Sequence, residues 1–351
     1  MKTANNPNIL TTIQINAIRQ LLENTKNILI TTHHNPDGDA IGSSMALYHT
    51  LKSAGIESTV VVPNTIPDSI SWIEGSDEIL IFEEQDSSRI DQVFAEAGLI
   101  FCLDFNAPRR VGEKMQKPLE ASSAVKILID HHPQPQTSAF DYLYSETSAS
   151  STAELVYKFL QLLEFEKHIN KAAAESLYTG IVTDTGSFSF SCNDPDIYLI
   201  TADLIKRGVD AELLHRRIFD TFSEKRLRLM GYAIHQKLLV LHTFHTAIIS
   251  LTKEELERFD HKAGDTEGIV NLPLSISNIN VSILLTERDD LIRLSFRSKG
   301  DFEVNKLAGE HFNGGGHRNA AGGNSELSMQ ETIEKIKTVL PLYLNELQYQ
   351  I

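Results

Sequence analysis

The sequence predicts an α/β protein in two parts, a parallel sheet with flanking helices followed by a smaller α+β part, joined by a helical linker. Three observations lead there. Five short apolar or β-branched runs lie within the first 130 residues, with helical patterns between several of them. The stretch 151–235 reads as mostly helical. After 236 the pattern changes to longer strands and one glycine-rich loop.

Taken in order, MKTANNPNILTTIQINAIRQLLE (1–23) reads as a short amphipathic helix, without the apolar centre or cleavage site of a signal peptide. ILITT (28–32), STVVV (58–62), EILIF (78–82), LIFCLDF (99–105) and VKILID (125–130) read as strands. They are apolar or β-branched throughout, as parallel strands buried on both faces are. AIGSSMALYHTLKSAG (40–55) is a helix closed by Gly55. Helices follow over 151–164, 171–184, 196–208 and 222–236, the last being the best candidate for a linker. KLLVLHTFHTAIISLT, NINVSILLTERD and DLIRLSFRSKG read as antiparallel strands, with a turn at Asp289-Asp290. VNKLAGEHF (304–312) reads as a helix, FNGGGHRNAAGGN (312–324) as a loop, and about 328–348 as a final helix. The expected divisions are 1–205, a linker over 206–235, and 236–351.

A formal net charge of −15 argues against a long nucleic-acid groove, which needs a basic face. It leaves room for a small anionic substrate in a local positive pocket. Two cysteines, Cys102 and Cys192, make neither a disulfide framework nor a paired metal motif, which fits a reducing compartment. The longest apolar run, AGLIFCL (97–103), is too short to span a bilayer. A cytoplasmic protein without membrane attachment is expected.

Four places set acids or histidines at the end of an apolar segment: His33, Asp37 and Asp39; Asp104; Asp130, His131 and His132; and Asp184. Each alone reads as a cap or turn residue. Together they argue for one site, because three of the four follow strands, and ligands of open parallel sheets bind beyond the carboxyl ends of strands. Gly38 and Gly42 are expected to give a tight turn into the helix after the first strand. Carboxylates mixed with imidazole suit a first-row divalent metal better than calcium. Crowded carboxylates repel unless they take up protons or cations. Two cations about 3.5–4 Å apart are a familiar device for phosphoryl hydrolysis.

These segments carry a family resemblance. LIDHHP (128–133) contains the Asp-His-His signature of the DHH phosphoesterase superfamily. THHNPDGDAIGS, CLDFNAPRRVG and TGIVTDTGSFSF are similar to its first, second and fourth motifs, and FNGGGHRNAAGG resembles the glycine-rich motif of the associated DHHA1 domain. The motifs run from 32 to 323, and the chain looks like the two-domain nano-RNase (oligoribonuclease and pAp phosphatase) subgroup, often labelled exopolyphosphatase-related. The resemblance implies that His33 and Asp37 bind one metal and Asp39 and His131 the other, with Asp104 bridging and Asp184 completing the site. It implies two divalent ions, Mn2+ by preference, with Mg2+ or Co2+ as alternatives. His34 falls at a variable position and takes a supporting or solvent-facing role. Asp130 would orient a neighbouring histidine, and His132 would face the substrate, stabilising phosphoryl charge or protonating the leaving group. Arg110 would support the site or contact phosphate.

In the second part, Gly314, Gly315 and Gly316 would offer amides to an anion, His317 would stack or donate, and Arg297 and Ser298 would clamp a terminal phosphate. Arg318 and Asn319 are lesser contacts. The implied activity is hydrolysis of short 5′-phosphorylated RNA or DNA oligonucleotides to nucleoside monophosphates, and of adenosine 3′,5′-bisphosphate to AMP, by a two-metal-activated hydroxide. The alternative is cleavage of cyclic dinucleotides or their linear dinucleotide products. Exopolyphosphatase, pyrophosphatase and non-catalytic sensor readings rank lower, since GGGH replaces the basic motif of pyrophosphatases and all six ligand types are intact. Analogy with the family implies a homodimer.

Overall fold

Period-two alternation builds the first sheet. In the computed structural model, which describes residues 10–84, 87–262, 264–289 and 291–347, β1 (Ile28–Thr31) sends Ile28 and Ile30 into one core and Leu29 into another. β2 (Ser58–Val62), β3 (Leu80–Ile81), β4 (Leu99–Leu103), β5 (Val125–Asp130) and β6 (Tyr142–Ser145) complete six strands in the order β3-β2-β1-β4-β5-β6. Every pairing is parallel. The Ile28 face is covered by α1 (Thr12–Asn24), α2 (Gly38–Ser53), α5 (Thr152–Leu162), α6 (Lys171–Asp184), α7 (Pro195–Lys206) and α8 (Ala211–Phe219). The Leu29 face is covered by α3 (Ser87–Glu96) and α4 (Glu113–Ala121). Burial on both faces is why these strands lack a polar alternation.

Some expectations change. EILIF forms only the two-residue β3, flanked by 3-10 turns at Ser76–Glu78 and Phe82–Glu84. LIFCLDF stops at Leu103, because Asp104 turns to φ +63°. β6 follows β5 with only a 3-10 turn, Thr137–Ala139, between them and no α-helix, so no alternation marked it in advance. Residues 1–9 of the expected N-terminal helix lie outside the described residues, as does Asp290 of the expected turn.

Helix α2 is buried from Gly38 through Leu51. It crosses α6 at very close range. A Cβ on Gly42 would lie 2.6 Å from the Ser176 carbonyl oxygen and 2.8 Å from the Gly180 nitrogen. A Cβ on Gly180 would lie 2.6 Å from the Ala153 Cβ and 2.8 Å from Asp39 Oδ1. Gly38 and Gly42 are therefore helical residues chosen for space, not for the tight turn expected of them, since neither has a positive φ.

The chain divides into units Met1–Thr221 and Phe222–Ile351. The expected linker, 206–235, splits between them. α8 buries Leu214 and Ile218 in the first unit, whereas α9 (Glu224–Gln236) buries Leu229 and Ala233 in the second. The second unit then runs β7 (Leu238–Leu241), β8 (Thr246–Leu251), α10 (Lys253–Arg258), β9 (Val281–Glu287), β10 (Ile292–Ser298), α11 (Val304–His311), β11 (Gly315–His317), β12 (Ala320–Ser325) and α12 (Met329–Val339). Its sheet order is β11-β12-β10-β9-β8-β7. The expected antiparallel strands are present, but β8 and β9 pair in parallel, so the sheet is mixed. The long crossover through α10 and a 3-10 segment, Ile269–Ser275, returns the chain to the same end. The expected glycine-rich loop is a short hairpin of β11 and β12. The final helix stops at Val339 and passes into a 3-10 turn at Leu340–Tyr343, where Pro341 has no N–H to give; residue 348 lies outside the described residues. No helix among the described residues is long and apolar enough to cross a membrane.

Two glycine substitutions should act oppositely. Gly42→Ala forces α2 away from α6 and should destabilise the protein by about 1–3 kcal/mol. Gly231→Ala, exposed within α9 with nothing within 4 Å of the added carbon, should stabilise by up to about 1 kcal/mol. Calorimetry reads both; equal effects would refute the packing account.

Candidate metal centre

The site is built where β1, β4 and β5 end. His33, two residues beyond β1, is buried, and its Nδ1 lies 3.0 Å from the His34 carbonyl. A carbonyl only accepts, so Nδ1 carries a hydrogen and Nε2 is the nitrogen that faces the acids, as a donor while the ring is protonated and as a lone pair once that proton is displaced. Nε2 is 3.4 Å from Asp104 Oδ2 and 3.9 Å from Asp37 Oδ2. Asp37 caps α2: its Oδ1 accepts from the amides of Asp39 at 3.0 Å and Ala40 at 3.1 Å. The cap and the site thus use different oxygens of one carboxylate.

Asp39 is buried in the first turn of α2. Its Oδ2 accepts from the Thr152 amide at 2.6 Å and its Oδ1 from the Ala153 amide at 2.8 Å, the first N–H groups of α5. Asp104 follows β4 in the left-handed region, and its amide donates to the Ile129 carbonyl at 3.1 Å. Such a conformation is strained for a non-glycine residue and needs support of this kind. Asp104 Oδ1 accepts from the Thr152 hydroxyl at 2.9 Å and lies 3.6 Å from His131 Nε2. His131 Nε2 also lies 3.4 Å from Asp184 Oδ2 and 3.9 Å from Asp39 Oδ2, while Nδ1 is 3.4 Å from the Ala149 carbonyl.

The structure therefore brings all six expected ligands together, as two donor sets: His33, Asp37 and Asp104, and Asp39, His131 and Asp184. Within each set the donor atoms lie within 4.8 Å of one another. Asp104 faces both sets, one oxygen toward each histidine.

Charge explains why such a cluster calls for cations. Among the described residues no Lys or Arg forms an ion pair with these four carboxylates; their partners are histidines. Burial, then Asp104, Asp184 and Asp37, push Asp39 well above the usual carboxylate range. Asp184 is pushed up to about 7, by desolvation first and then by Asp37 and Asp104, against the pull of His131. Burial works against the charge on His33, but the Asp104 hydrogen bond and the Asp37 charge outweigh it and raise the ring to about 9. Burial also opposes ionisation of Asp104, but the surrounding histidines hold it below the usual range. The cluster stores protons where divalent cations would relieve the same repulsion, and its imidazole and carboxylate donors fit such ions.

Beside the two sets, Asp130 ends β5 fully buried, and its Oδ1 accepts from His132 Nδ1 at 2.7 Å. Burial lowers the His132 pKa, but the bond and charge of Asp130 overcome this and raise it; the Arg110 charge opposes. Arg110 is exposed on a 3-10 turn, Pro108–Val111, and its carbonyl accepts from the His34 amide at 2.8 Å. His34 is itself exposed.

In the second unit, Arg297 on β10 is half-buried, with Nη1 donating to the Phe296 carbonyl at 3.0 Å. The Ser298 hydroxyl donates to the Phe302 carbonyl at 2.7 Å and accepts from Asn319 Nδ2 at 2.9 Å. Ser298 and Asn319 thereby brace the 298–302 turn, so the clamp expected of the serine hydroxyl is already occupied within the fold. Arg318 is paired with Asp301 at 2.9 Å. Gly315 has open space at its Cα, but a Cβ on Gly316 (φ +139°) would sit 2.6 Å from the Ala320 carbonyl, and one on Gly314 would fall on Gly322. His317 ends β11 half-buried.

Thr152 is the residue that the motif reading missed. Its surroundings, Ser151-Thr152-Ala153-Glu154 before an apolar run, signal a helix start. Only the fold shows that its amide holds Asp39 and its hydroxyl holds Asp104.

A parallel sheet with Asp and His donor sets clustered beyond its strand ends has the build of a metal-dependent hydrolase domain, and the family matches narrow it to the phosphoesterases. The chain matches the DHH family, N-terminal domain, over residues 27–181 and the DHHA1 domain over residues 244–345. It belongs to the DHH/DHHA1 phosphoesterase superfamily, in the nano-RNase subgroup. The bifunctional oligoribonuclease and PAP phosphatase NrnA of Bacillus subtilis (strain 168) is 30% identical over 296 residues, covering 84% of this chain and 88% of that protein. The cyclic-di-AMP phosphodiesterase GdpP of the same organism is 29% identical over 343 residues, covering 93% of this chain but 49% of that longer protein. The crystal structure of an exopolyphosphatase-related protein from Bacteroides fragilis matches with a TM-score of 0.92 and 41% identity, covering 97% of this chain and 98% of that one.

Proton storage gives a pH test. His33 is raised from 6.5 to about 9 and Asp184 from 3.8 to about 7. A raised folded-state pKa means stability lost as pH rises: for His33 between 6.5 and about 9, for Asp184 between 3.8 and about 7. The ion-free protein should lose thermal stability from about pH 4 to about pH 9, and Mn2+ should stabilise it increasingly over that range, because binding must displace these protons. A Mn2+ effect independent of pH would contradict this. Thr152→Val should weaken Mn2+ binding about 10–100-fold by calorimetric titration, and Thr152→Ser should restore it.

Proposed function

We propose that this protein hydrolyses short 5′-phosphorylated oligonucleotides to nucleoside monophosphates, and adenosine 3′,5′-bisphosphate to AMP. The observation that carries this reading is the pair of donor sets sharing Asp104. His33 and Asp37 would hold one divalent ion and Asp39, His131 and Asp184 the other, with Asp104 between them and Mn2+ as the native metal. Bound there, such ions supply Lewis-acid stabilisation of phosphoryl charge and acidify water at neutral pH.

The remaining chemistry belongs to the chain. Asp130 keeps a hydrogen on Nδ1 of His132 and favours the protonated ring. The proton His132 gives to the leaving oxygen is therefore the one on Nε2. Arg110, whose charge reaches His132, adds positive potential for an anionic substrate. In the second unit, Arg297, the Gly315 and Gly316 amides, His317 and Arg318 are the proposed grip on the terminal phosphate and base. Short substrates need few phosphate contacts, consistent with a net charge of −15.

Cleavage of cyclic dinucleotides is a second reading, favoured by the similarity to GdpP over 93% of this chain. Turnover of 5′-pApA, adenosine 3′,5′-bisphosphate, cyclic di-AMP and pyrophosphate with Mn2+ separates the two. AMP release from pApA and the bisphosphate is the expected result; preference for cyclic di-AMP would replace it with the second reading. Asp104→Ala should lower kcat/KM by about 1000-fold or more. Asp130→Asn should lower kcat about 10–100-fold and shift the alkaline limb of kcat to lower pH, since it removes the charge that raises His132. An unshifted limb would remove His132 from the acid role.

A further inference from the structure

Beyond Asp184 the chain runs through a loop, Thr185 to Cys192, that the proposed chemistry does not use. Gly186, Ser187, Phe188 and Ser191 all take left-handed φ values, of 53°, 57°, 60° and 47°. That region is uncommon for side-chain-bearing residues and a genuine outlier for a bulky one such as Phe188. Strained backbone persists only where its surroundings over-determine it, and here they do. The Gly186 amide donates to the Thr183 carbonyl at 3.3 Å and that of Ser187 to Val182 at 2.8 Å. The amides of Ser189 and Phe190 both donate to the Thr185 carbonyl, at 2.8 and 2.9 Å. The Phe188 amide donates to Thr185 Oγ1 at 3.0 Å, and Cys192 Sγ donates to the Phe188 carbonyl at 3.0 Å. The Phe188 ring stacks on Tyr198 at 5.7 Å and 26°.

This internally hydrogen-bonded loop presents one large apolar side chain to water. Phe190 is 48% exposed. Its ring lies against Gly186: a Cβ there would stand 2.9 Å from ring atoms Cδ2 and Cε2. Gly186 is two residues from Asp184, so the ring packs on the same short stretch of backbone that carries this carboxylate. A flat apolar face held by a fixed backbone binds one ligand class well, the π-face of a planar ring, and it does so without reading hydrogen-bond edges.

We propose that Phe190 is the stacking platform for the nucleobase adjoining the phosphate that is hydrolysed, which makes the site tolerant of base identity. This rests on the nucleotide reading above. The ring touches the substrate base and orients the phosphate; it takes no part in bond breaking.

The test compares wild type, Phe190→Ala and Phe190→Trp on adenosine 3′,5′-bisphosphate and on its base-free counterpart, ribose 3,5-bisphosphate, with Mn2+. Phe190→Ala should lower kcat/KM for the adenosine compound about 10–100-fold, the scale of one base–aromatic stack, and leave the base-free compound unchanged. Phe190→Trp should retain activity on both. Equal losses on both compounds, or no loss on either, would overturn the platform. A readout independent of turnover uses the new indole of Phe190→Trp, with wild type giving the background of Trp72. AMP should quench it and ribose 5-phosphate should not. Failure of wild type to hydrolyse any nucleotide would sink the nucleotide reading, and the quench would still decide for or against stacking.

Discussion

Asp39 is the contact on which the rest of the site depends. Its carboxylate is buried, forms no ion pair with Lys or Arg among the described residues, and accepts from the first two amides of α5. A carboxylate at a helix N-terminus is stabilised by unsatisfied N–H groups and by the helix dipole. Here the donors come from a helix more than 100 residues away in sequence. The contact ties α2 to α5, and Gly180 on α6 leaves the space in which the acid sits. Helices α2, α5 and α6 meet around one side chain that would be costly to bury without them.

Asp104 and Thr152 extend the same principle. Asp104 occupies a strained backbone conformation, and the strain is what swings its carboxylate between the two histidines instead of along the strand. Thr152 holds it there and holds Asp39 as well, so two buried acids are braced through one residue. The acids remain crowded, and protons accumulate on Asp39, Asp184 and His33. Stability and ion affinity are thereby linked through the same groups.

The second unit uses glycine differently. Gly314 and Gly316 are required because β11 lies so close to β12 that a side chain would strike its backbone, while Gly315 stands in open space. Ser298 and Asn319 spend their hydrogen bonds on the neighbouring turn. The conspicuous glycine run is therefore partly a sheet-packing requirement, and Gly315 is the member with room for a ligand.

Much was legible in the chain itself. Apolar runs of β-branched residues marked β1, β2, β4 and β5, because parallel strands buried on both faces leave no polar alternation to confuse. The ligand types were legible too, since Asp and His placed after such runs carry a chemical preference in their composition. By contrast, AAGGNS carries no β propensity, and it is a strand only because β10 and β11 pair with it. The same limit hid the parallel β8–β9 pairing, which depends on where a long crossover lands. The sequence by itself determined which donor atoms exist and which strand ends could carry them. Only the tertiary structure decided that Asp37 divides its oxygens between cap and site, that Asp104 faces both histidines, and that Thr152 braces the cluster. Those facts depend on distances between segments far apart in sequence, which no local pattern encodes.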